Sequence, residues 1–410
     1  MEFLKFKNLK LSKGISLIIN WSLLIFGAVA VGALCGAIGG AFSRCISFVT
    51  AERAENEWLI FLLPLGGLVS VALYKLTKTE GIGTDRALES ATARSETPVL
   101  LMPVIFAASV ITHLFGGSAG KEGAALQLGS GVADTVSKLV KTDKKAHSVL
   151  TICGMSALFS AVFGTPVGAS VFALEVAVIG KINALAVFPS LISSITAYFV
   201  STSLGVTPER FSVETVPVFG IEELLKTVIV SVAVSLTAGI FCKALHGGEK
   251  LAEKLFKNSF LRIFAGGCII IVLTLIFGTD YNGGGMFVIE RIFEEGFVRP
   301  EAFLLKIIFT VITVSAGYKG GEIVPSFFIG ATLGAALSGI VGLPVGFCAA
   351  IGMTAFFGGV TNCPIASAVI AVELFGANGL VLFAVAAFTS RVFFAKTSLY
   401  HKQNSEEFAM

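Results

Sequence analysis

The chain has 410 residues, of which 55% are hydrophobic and 14% charged, and its mean hydropathy is +0.87. This apolar content exceeds what a soluble core needs and places much of the protein surface in a lipid bilayer. The formal net charge is only +3, and no basic patch is interleaved with aromatic residues, which excludes a nucleic-acid-binding protein.

In chain order, the first feature is a lysine-rich start followed by a long uncharged run, which predicts a cytoplasmic N-terminus. Five uncharged stretches are long enough to cross the hydrocarbon, which takes about 20 apolar residues. They are 14–43, 97–120, 146–174, 182–208 and 323–372. Shorter runs at 227–242, 263–279 and 374–390 indicate tilted or protein-surrounded helices. We therefore predict an all-α polytopic membrane protein with broken, tilted helices.

The sequence duplicates near its middle. Residues 154–175 and 352–373 align without a gap and keep a proline and a final glutamate in register. Upstream, each half carries the letters SAG followed by a Gly-flanked glutamate, Glu122 or Glu322. Similar composition alone would explain the small-residue spacing but not the shared proline and glutamate. We predict a first membrane repeat at 1–206, a polar linker at 207–220, a second repeat at 221–410, and no soluble regulatory domain.

Three glycine-rich motifs predict helices that begin inside the membrane. They are GIGTD at 81–85, GKEGA at 120–124 and GGEIVP at 320–325. Non-helical backbone at membrane depth is tolerated only where protein or a water-filled cavity satisfies its polar groups. The N-terminus of a helix presents free N–H groups and the positive end of the helix dipole, so each motif is a candidate anion-binding end.

Glu122 is an ionisable residue inside a membrane, which is a functional candidate by default. Its anionic carboxylate can occupy the position that an anion would take at a helix N-terminus, so the two compete. Protonation removes the charge and frees the site, and the neighbouring glycines allow the side chain to swing. The alternative is a carboxylate that only caps the helix.

Glu322 is a second carboxylate, and we expect it to point at the same centre if the two halves are inverted around it. One of two carboxylates in a dry site is expected to be protonated at neutral pH and able to donate a hydrogen bond to an anion. The alternative is again a helix cap. Glu175 and Glu373, at the ends of the repeated helices, are predicted to be structural and to accept bonds from backbone amides.

The ordered motifs resemble those of the CLC family of chloride channels and proton-coupled antiporters. GKEGA is similar to the family's GxEGP, GGEIVP to its GxFxP element, and GIGTD stands in the place of its GSGIP. Tyr400, in KTSLY, is similar to a tyrosine that binds the anion in this family. The resemblance covers the whole chain, including the duplication.

The resemblance implies a homodimer in which each subunit has its own pore, two inverted repeats and a central anion site. It assigns Glu122 as the gating, proton-coupling carboxylate and Glu322 as a second carboxylate. The remaining residues implied at the anion site are Gly81, Ile82, Gly83, Gly120, Lys121, Gly123, Gly321, Ile323, Val324 and Tyr400. Lys121 has an alternative role, since its side chain could instead reach to the membrane interface.

Several departures narrow the choice within the family. Ile82 stands where chloride-selective members carry a serine, and Glu322 where they have an apolar residue. The intracellular proton-transfer glutamate of the chloride antiporters is expected near Thr207, with Glu209 as a nearby substitute. Loss of the serine together with a glutamate in the second half resembles the fluoride/proton antiporter branch. That branch has methionine at the position of Ile82 and threonine at that of Val324.

We therefore predict a multi-pass protein of the cell membrane that exchanges fluoride for protons and exports fluoride. The alternatives are a chloride/proton antiporter or a passive chloride channel of the same fold, since such proteins can share all these residues. An enzyme is not expected, because no nucleophile–base pair or HExxH motif is present. No metal or cofactor is expected either, since His113 and His246 are lone histidines.

Overall fold

The computed structural model describes residues 13–92, 95–178, 182–394, 398–400 and 403. Within these ranges the protein is built from α-helices joined by short turns and 3-10 segments. The first half contains α1 Lys13–Glu55, α2 Leu63–Leu76, α3 Thr84–Ala91, α4 Leu101–Leu114, α5 Glu122–Leu139, α6 Lys144–Phe163, α7 Pro166–Ala177 and α8 Ala184–Ser203. The second contains α9 Ile221–Leu255, α10 Ser259–Phe277, α11 Met286–Glu295, α12 Ala302–Ala316, α13 Ile323–Val341, α14 Val345–Thr361, α15 Pro364–Phe375 and α16 Leu380–Phe394.

The helices differ in length as the uneven apolar runs predict. Among the described residues, 7 helical segments are long and apolar enough to cross a membrane, and six more apolar helices are shorter. The predicted all-α membrane fold with broken helices is therefore confirmed. Lys5, Lys7 and Lys10, on which the predicted orientation rests, lie outside the described residues.

The two halves are tied together by a reciprocal pair of carboxylates. Glu175 at the end of α7 accepts hydrogen bonds from the amides of Ile365 (3.2 Å) and Ala366 (2.8 Å) in the first turn of α15. In return, Glu373 in α15 accepts bonds from the first turn of α7, at 3.0 and 2.6 Å. Each glutamate therefore caps the other repeat's helix, where the free N–H groups and the dipole favour negative charge. The structural role predicted for both residues is confirmed.

The reciprocal caps show how the duplicated segments are arranged. The helices α7 and α15 both begin at a proline, which suits a first helical position because it lacks an N–H group. The helices before them end at residues with a left-handed backbone, Gly164 (φ 80°) and Asn362 (φ 58°). Because each glutamate reaches the opposite repeat, the two copies are inverted with respect to each other.

Glycines bring the central helices into direct backbone contact. A Cβ atom at Gly129 of α5 would collide with the carbonyl of Gly154 in α6, and the second repeat places Gly330 of α13 against Gly352 of α14 in the same way. Close approach through small residues is how membrane helices gain packing energy, since lipid offers no hydrophobic driving force between them. These contacts hold α5 and α13, whose N-termini reach the centre of the protein.

We predict that Gly352→Ala destabilises the protein by roughly 1–3 kcal/mol, because the added methyl must displace the backbone of α13. Gly339→Ala is the matched control. Gly339 lies in α13 on an exposed surface, and a Cβ atom there would have nothing within 4 Å. Alanine there should leave the thermal unfolding midpoint in detergent unchanged or raise it, through its better helix propensity. Equal midpoints for the two variants would contradict the packing argument.

Candidate functional site

The three motif helices begin where the sequence predicts: α3 at Thr84, α5 at Glu122 and α13 at Ile323. The N-termini of α5 and α13 meet in the middle of the protein. There, Gly120 and Gly321 form an antiparallel bridge, in which each amide donates to the other's carbonyl at 2.6 Å. Side chains would prevent this approach, because a Cβ on Gly321 would collide with the amide of Gly123.

The bridge corrects the assumed equivalence of the two glutamates. With Gly120 opposite Gly321, the next residues in the two halves are Lys121 and Glu322, the N-cap residues of α5 and α13. Their backbone angles agree, with φ −96° and ψ −17° for Lys121 and φ −94° and ψ −6° for Glu322. Glu122 is instead the first residue of its helix and corresponds to Ile323. The carboxylates are therefore one residue out of register.

The two carboxylates line different cavities. The first, which we call the Glu122 cavity, has a volume of about 670 Å³ and is lined by Gly120, Lys121, Glu122 and Val324 among others. The second, the Glu322 cavity, has a volume of about 420 Å³. Its lining includes four of the predicted site residues and Glu322 itself: Gly81, Ile82, Gly83, Glu322 and Tyr400. The structure thus places the two glutamates in separate cavities rather than in one.

Glu122 is completely buried, and within the described part of the chain neither of its carboxylate oxygens has a hydrogen-bond partner. The backbone amides that act on the carboxylate are those of Lys121 and Glu122 itself, whereas a helix cap accepts a bond from an amide two or three residues further along the helix. A buried polar group without a partner is costly and needs a functional or structural reason. The unpartnered carboxyl group of Glu122 is therefore a candidate for a functional role.

Glu322 is partly exposed to its cavity and makes no side-chain capping bond to α13, although it occupies the N-cap position. Its charge interacts with those of Lys319, Glu249 and Asp85. Tyr400 lies in the same cavity with its hydroxyl buried and without a partner. An available phenolic O–H beside a carboxyl group provides two donors for an anion when the carboxyl is protonated.

Some predicted ligands are occupied in this conformation. The amides of Gly120 and Gly321 are used by the bridge, so they are not available to an anion while it is intact. Gly123 and Ile323 lie in the first turns of α5 and α13, directly beside the bridge. Val324 packs against the bridge on the side of the Glu122 cavity. A Cβ atom added to Gly120 would lie 3.0 Å from the Cβ of Val324.

The two positions expected for the intracellular proton glutamate lie in the same cavity as Glu122. Thr207 and Glu209 both line the Glu122 cavity. A residue that relays protons to the opposite side must lie away from the gate, whereas Glu209 shares its cavity. Instead, Glu209 Oε1 lies 3.6 Å from Lys121 Nζ, which also donates to Ser43 at 3.3 Å. Lys121 is thus paired within the protein rather than extended to the membrane interface.

Two basic side chains beside the Glu122 cavity, the buried Lys306 and the half-buried Arg53, were not predicted from the sequence. Lys306 in α12 is fully buried and donates to the carbonyls of Tyr281 (3.0 Å) and Gly283 (2.7 Å). Arg53 at the end of α1 donates to the carbonyl of His113 at 2.9 Å. The signal for Lys306 was present, because it is the one charge in the apolar segment 302–316. Both basic side chains act electrostatically on His113, which lines the Glu122 cavity.

Comparison with known proteins agrees with this architecture. Residues 65–395 match the family described as "Voltage gated chloride channel". A "Chloride/fluoride channel protein" of Pseudomonas syringae pv. tomato is 34% identical over 396 residues, covering 94% of this chain and 86% of the relative. An "H(+)/Cl(-) exchange transporter ClcA" of Vibrio campbellii is 25% identical, covering 88% and 83% of the two chains.

Among solved structures, the crystal structure of a CLC-type fluoride/proton antiporter superposes with a TM-score of 0.90 at 30% identity, covering 94% of this chain and 98% of the other. The inverted repeats, the helix ends that meet at the Gly120–Gly321 bridge and the match over most of the sequence agree with one another. The chain belongs to the voltage-gated chloride channel (CLC) family of anion transporters.

Proposed function

We propose that this protein exchanges fluoride for protons across the cell membrane and exports fluoride, with Glu122 as the group that couples the two ions. The observation that carries the proposal is the Glu122 carboxyl group, which is buried without a partner at the N-terminus of α5. A group in this position can bind a proton or compete with an anion for the positive end of the helix. It cannot do both at once.

The exchange follows from that competition. When Glu122 is ionised, its carboxylate occupies the region that favours negative charge at the ends of α5 and α13. When it takes up a proton, the negative charge is lost and the side chain can leave, so an anion can enter. Release of the proton restores the carboxylate, and its return to the helix ends displaces the anion. One proton binding event thus accompanies each admission of an anion.

Fluoride is favoured over chloride by the composition of the Glu322 cavity. Ile82 offers no hydroxyl group, whereas protonated Glu322 and Tyr400 would supply O–H donors. Fluoride is the strongest hydrogen-bond acceptor among the halides and gains most from such donors. The structural relative named as a fluoride/proton antiporter, at 30% identity, supports the same choice.

We further propose the orientation and the assembly. The lysine-rich N-terminus predicts a cytoplasmic start. Because the far end of α1 lines the Glu122 cavity through Arg53, that cavity would then face outside and the Glu322 cavity the cytoplasm. The family resemblance supports a homodimer with one pore per subunit. Cross-linking of purified protein in liposomes, resolved by denaturing electrophoresis, tests the dimer.

The function is tested with purified protein in liposomes loaded with potassium fluoride or potassium chloride. Anion efflux and proton uptake are recorded together after valinomycin is added to carry potassium. We expect fluoride efflux well above chloride efflux, with protons entering in fixed proportion to the fluoride that leaves. Equal fluxes of the two halides would contradict fluoride selectivity. Anion efflux without proton uptake would instead identify a channel.

A further inference from the structure

The ion pair between Lys121 and Glu209 joins three separate parts of the chain at the Glu122 cavity. Lys121 is the N-cap of α5, Glu209 lies in the non-helical segment after α8, and Ser43, which accepts a bond from Lys121, lies in α1. The side chains of Lys121 and Glu209 are 14% and 21% exposed. The pair is therefore partly buried but reaches solvent, whereas Glu122 does not.

Glu209 is placed to communicate with Glu122. Both residues line the same cavity, and Lys121 directly precedes Glu122 in the sequence. The charges of Lys121 and Glu209 both act electrostatically on the Glu122 carboxyl group. Since Glu122 is fully buried and has no hydrogen-bond partner, a proton leaving it toward this cavity needs an acceptor that reaches water. Glu209 meets both requirements, because its carboxylate lines the same cavity as Glu122 and is partly exposed to solvent.

The inverted repeat gives independent support. After α8, the amide of Glu209 donates to the carbonyl of Phe163 at the end of α6 (3.3 Å). After α16, the amide of Leu399 donates to the carbonyl of Val360 near the end of α14 (2.8 Å). The two segments therefore hold corresponding places, and each delivers a polar side chain to one cavity. Tyr400 lines the Glu322 cavity, as Glu209 lines the Glu122 cavity.

We propose that Glu209, held by Lys121, exchanges protons between Glu122 and the solution in the Glu122 cavity. This inference rests on the proposed function. The proton leaves the Glu122 carboxyl group, passes through cavity water to the Glu209 carboxylate, and is released to the solution; uptake runs in reverse. The other charged or titratable groups around Glu209 are Arg53, Glu57, His113, Arg210, Asp280 and Glu290. Among these described groups, Glu290 also interacts electrostatically with Glu209.

The test compares Glu209→Gln with Glu214→Gln in the liposome assay. Glutamine can still accept a hydrogen bond from Lys121, so the substitution removes the titratable group and keeps a contact at that position. Glu214 is an exposed residue of the same segment, and its variant makes the same change of charge. We expect coupled fluoride/proton exchange to fall roughly tenfold in Glu209→Gln, equivalent to ~1.4 kcal/mol. Glu214→Gln should match the unaltered protein.

Two further measurements separate proton exchange from a merely structural role. Raising the concentration of an impermeant buffer such as MES at fixed pH should restore the rate of Glu209→Gln, because buffer can replace the missing acceptor. A structural defect would not respond. Glu209→Asp retains a carboxylate and should keep at least half of the original rate, on the order of 0.4 kcal/mol or less in barrier.

The outcomes also separate this inference from the proposed function. If the unaltered protein fails to exchange fluoride for protons, the proposed function is wrong. If it exchanges them and Glu209→Gln does so at the same rate, the role of Glu209 is refuted while the function stands. The proposal would also be overturned if the exchange rate of Glu209→Gln were low and did not rise with buffer concentration. The same holds if Glu209→Asp exchanged as slowly as the glutamine variant.

Discussion

Glu122→Gln is expected to abolish proton movement coupled to anion efflux. Glutamine has nearly the same shape as a protonated glutamate but neither binds nor releases a proton at this step. We expect proton uptake driven by a fluoride gradient to fall by at least roughly a hundredfold, equivalent to ~2.7 kcal/mol of barrier. The measurement is proton uptake by liposomes during fluoride efflux, at matched protein content.

The structure also supplies a control for folding. Glu122 is fully buried and pairs with no other side chain among the described residues, so glutamine at this position breaks no side-chain hydrogen bond. The thermal unfolding midpoint of Glu122→Gln should therefore be no lower than that of the unaltered protein. Glu57→Gln, which removes a carboxylate from the same cavity, is the matched control for transport. Exchange at the original rate in Glu122→Gln would remove the central claim.

The sequence predicted most of the fold because the relevant signals are local. Proline at a first helical turn and glycine beside a helix end act within a few residues. The reciprocal caps of Glu175 and Glu373 were anticipated only as bonds to backbone amides. Each of these amides belongs to the opposite repeat. This pairing depends on the inverted packing of the two halves, which no single motif predicts.

The register of the two halves at the site could not be predicted. The SAG letters end at Gly120 in the first half and at Gly317 in the second, whereas the bridge joins Gly120 to Gly321. The second half thus contains an insertion before its helix, and one of its residues is Tyr318. The Tyr318 hydroxyl donates to carbonyls of two other helices, at 3.0 and 3.1 Å. Only this tertiary contact shows where the additional residues go.

The separation of the two carboxylates follows from the inversion of the two halves. Because the two halves are inverted, their N-cap side chains point to opposite faces of the bridge. Lys121 therefore faces the Glu122 cavity and Glu322 faces the other. A proton that crosses the protein must use groups in both cavities, because neither glutamate lines both. We therefore propose that Glu322 acts in a step of transport separate from that of Glu122.

Glu322→Gln is expected to slow fluoride/proton exchange without preventing folding. Its side chain makes no cap bond to α13, so the helix loses no hydrogen bond when the carboxylate is replaced. Removing the titratable group leaves the Glu322 cavity with Tyr400 but without its carboxyl donor. We expect the exchange rate to fall roughly tenfold or more, equivalent to ~1.4 kcal/mol of barrier, in the same liposome assay.

Glu253→Gln is the matched control for this cavity, because Glu253 lines it from the last turn of α9 and is paired at 3.5 Å with Arg262 in the first turn of α10. It should leave the exchange rate unchanged. The ratio of fluoride to chloride efflux in Glu322→Gln then distinguishes two roles. A ratio that falls with the rate assigns Glu322 to anion recognition, whereas an unchanged ratio with slower proton uptake assigns it to proton transfer. Unaltered exchange would exclude both roles and leave Glu322 as a residue of the α13 terminus alone.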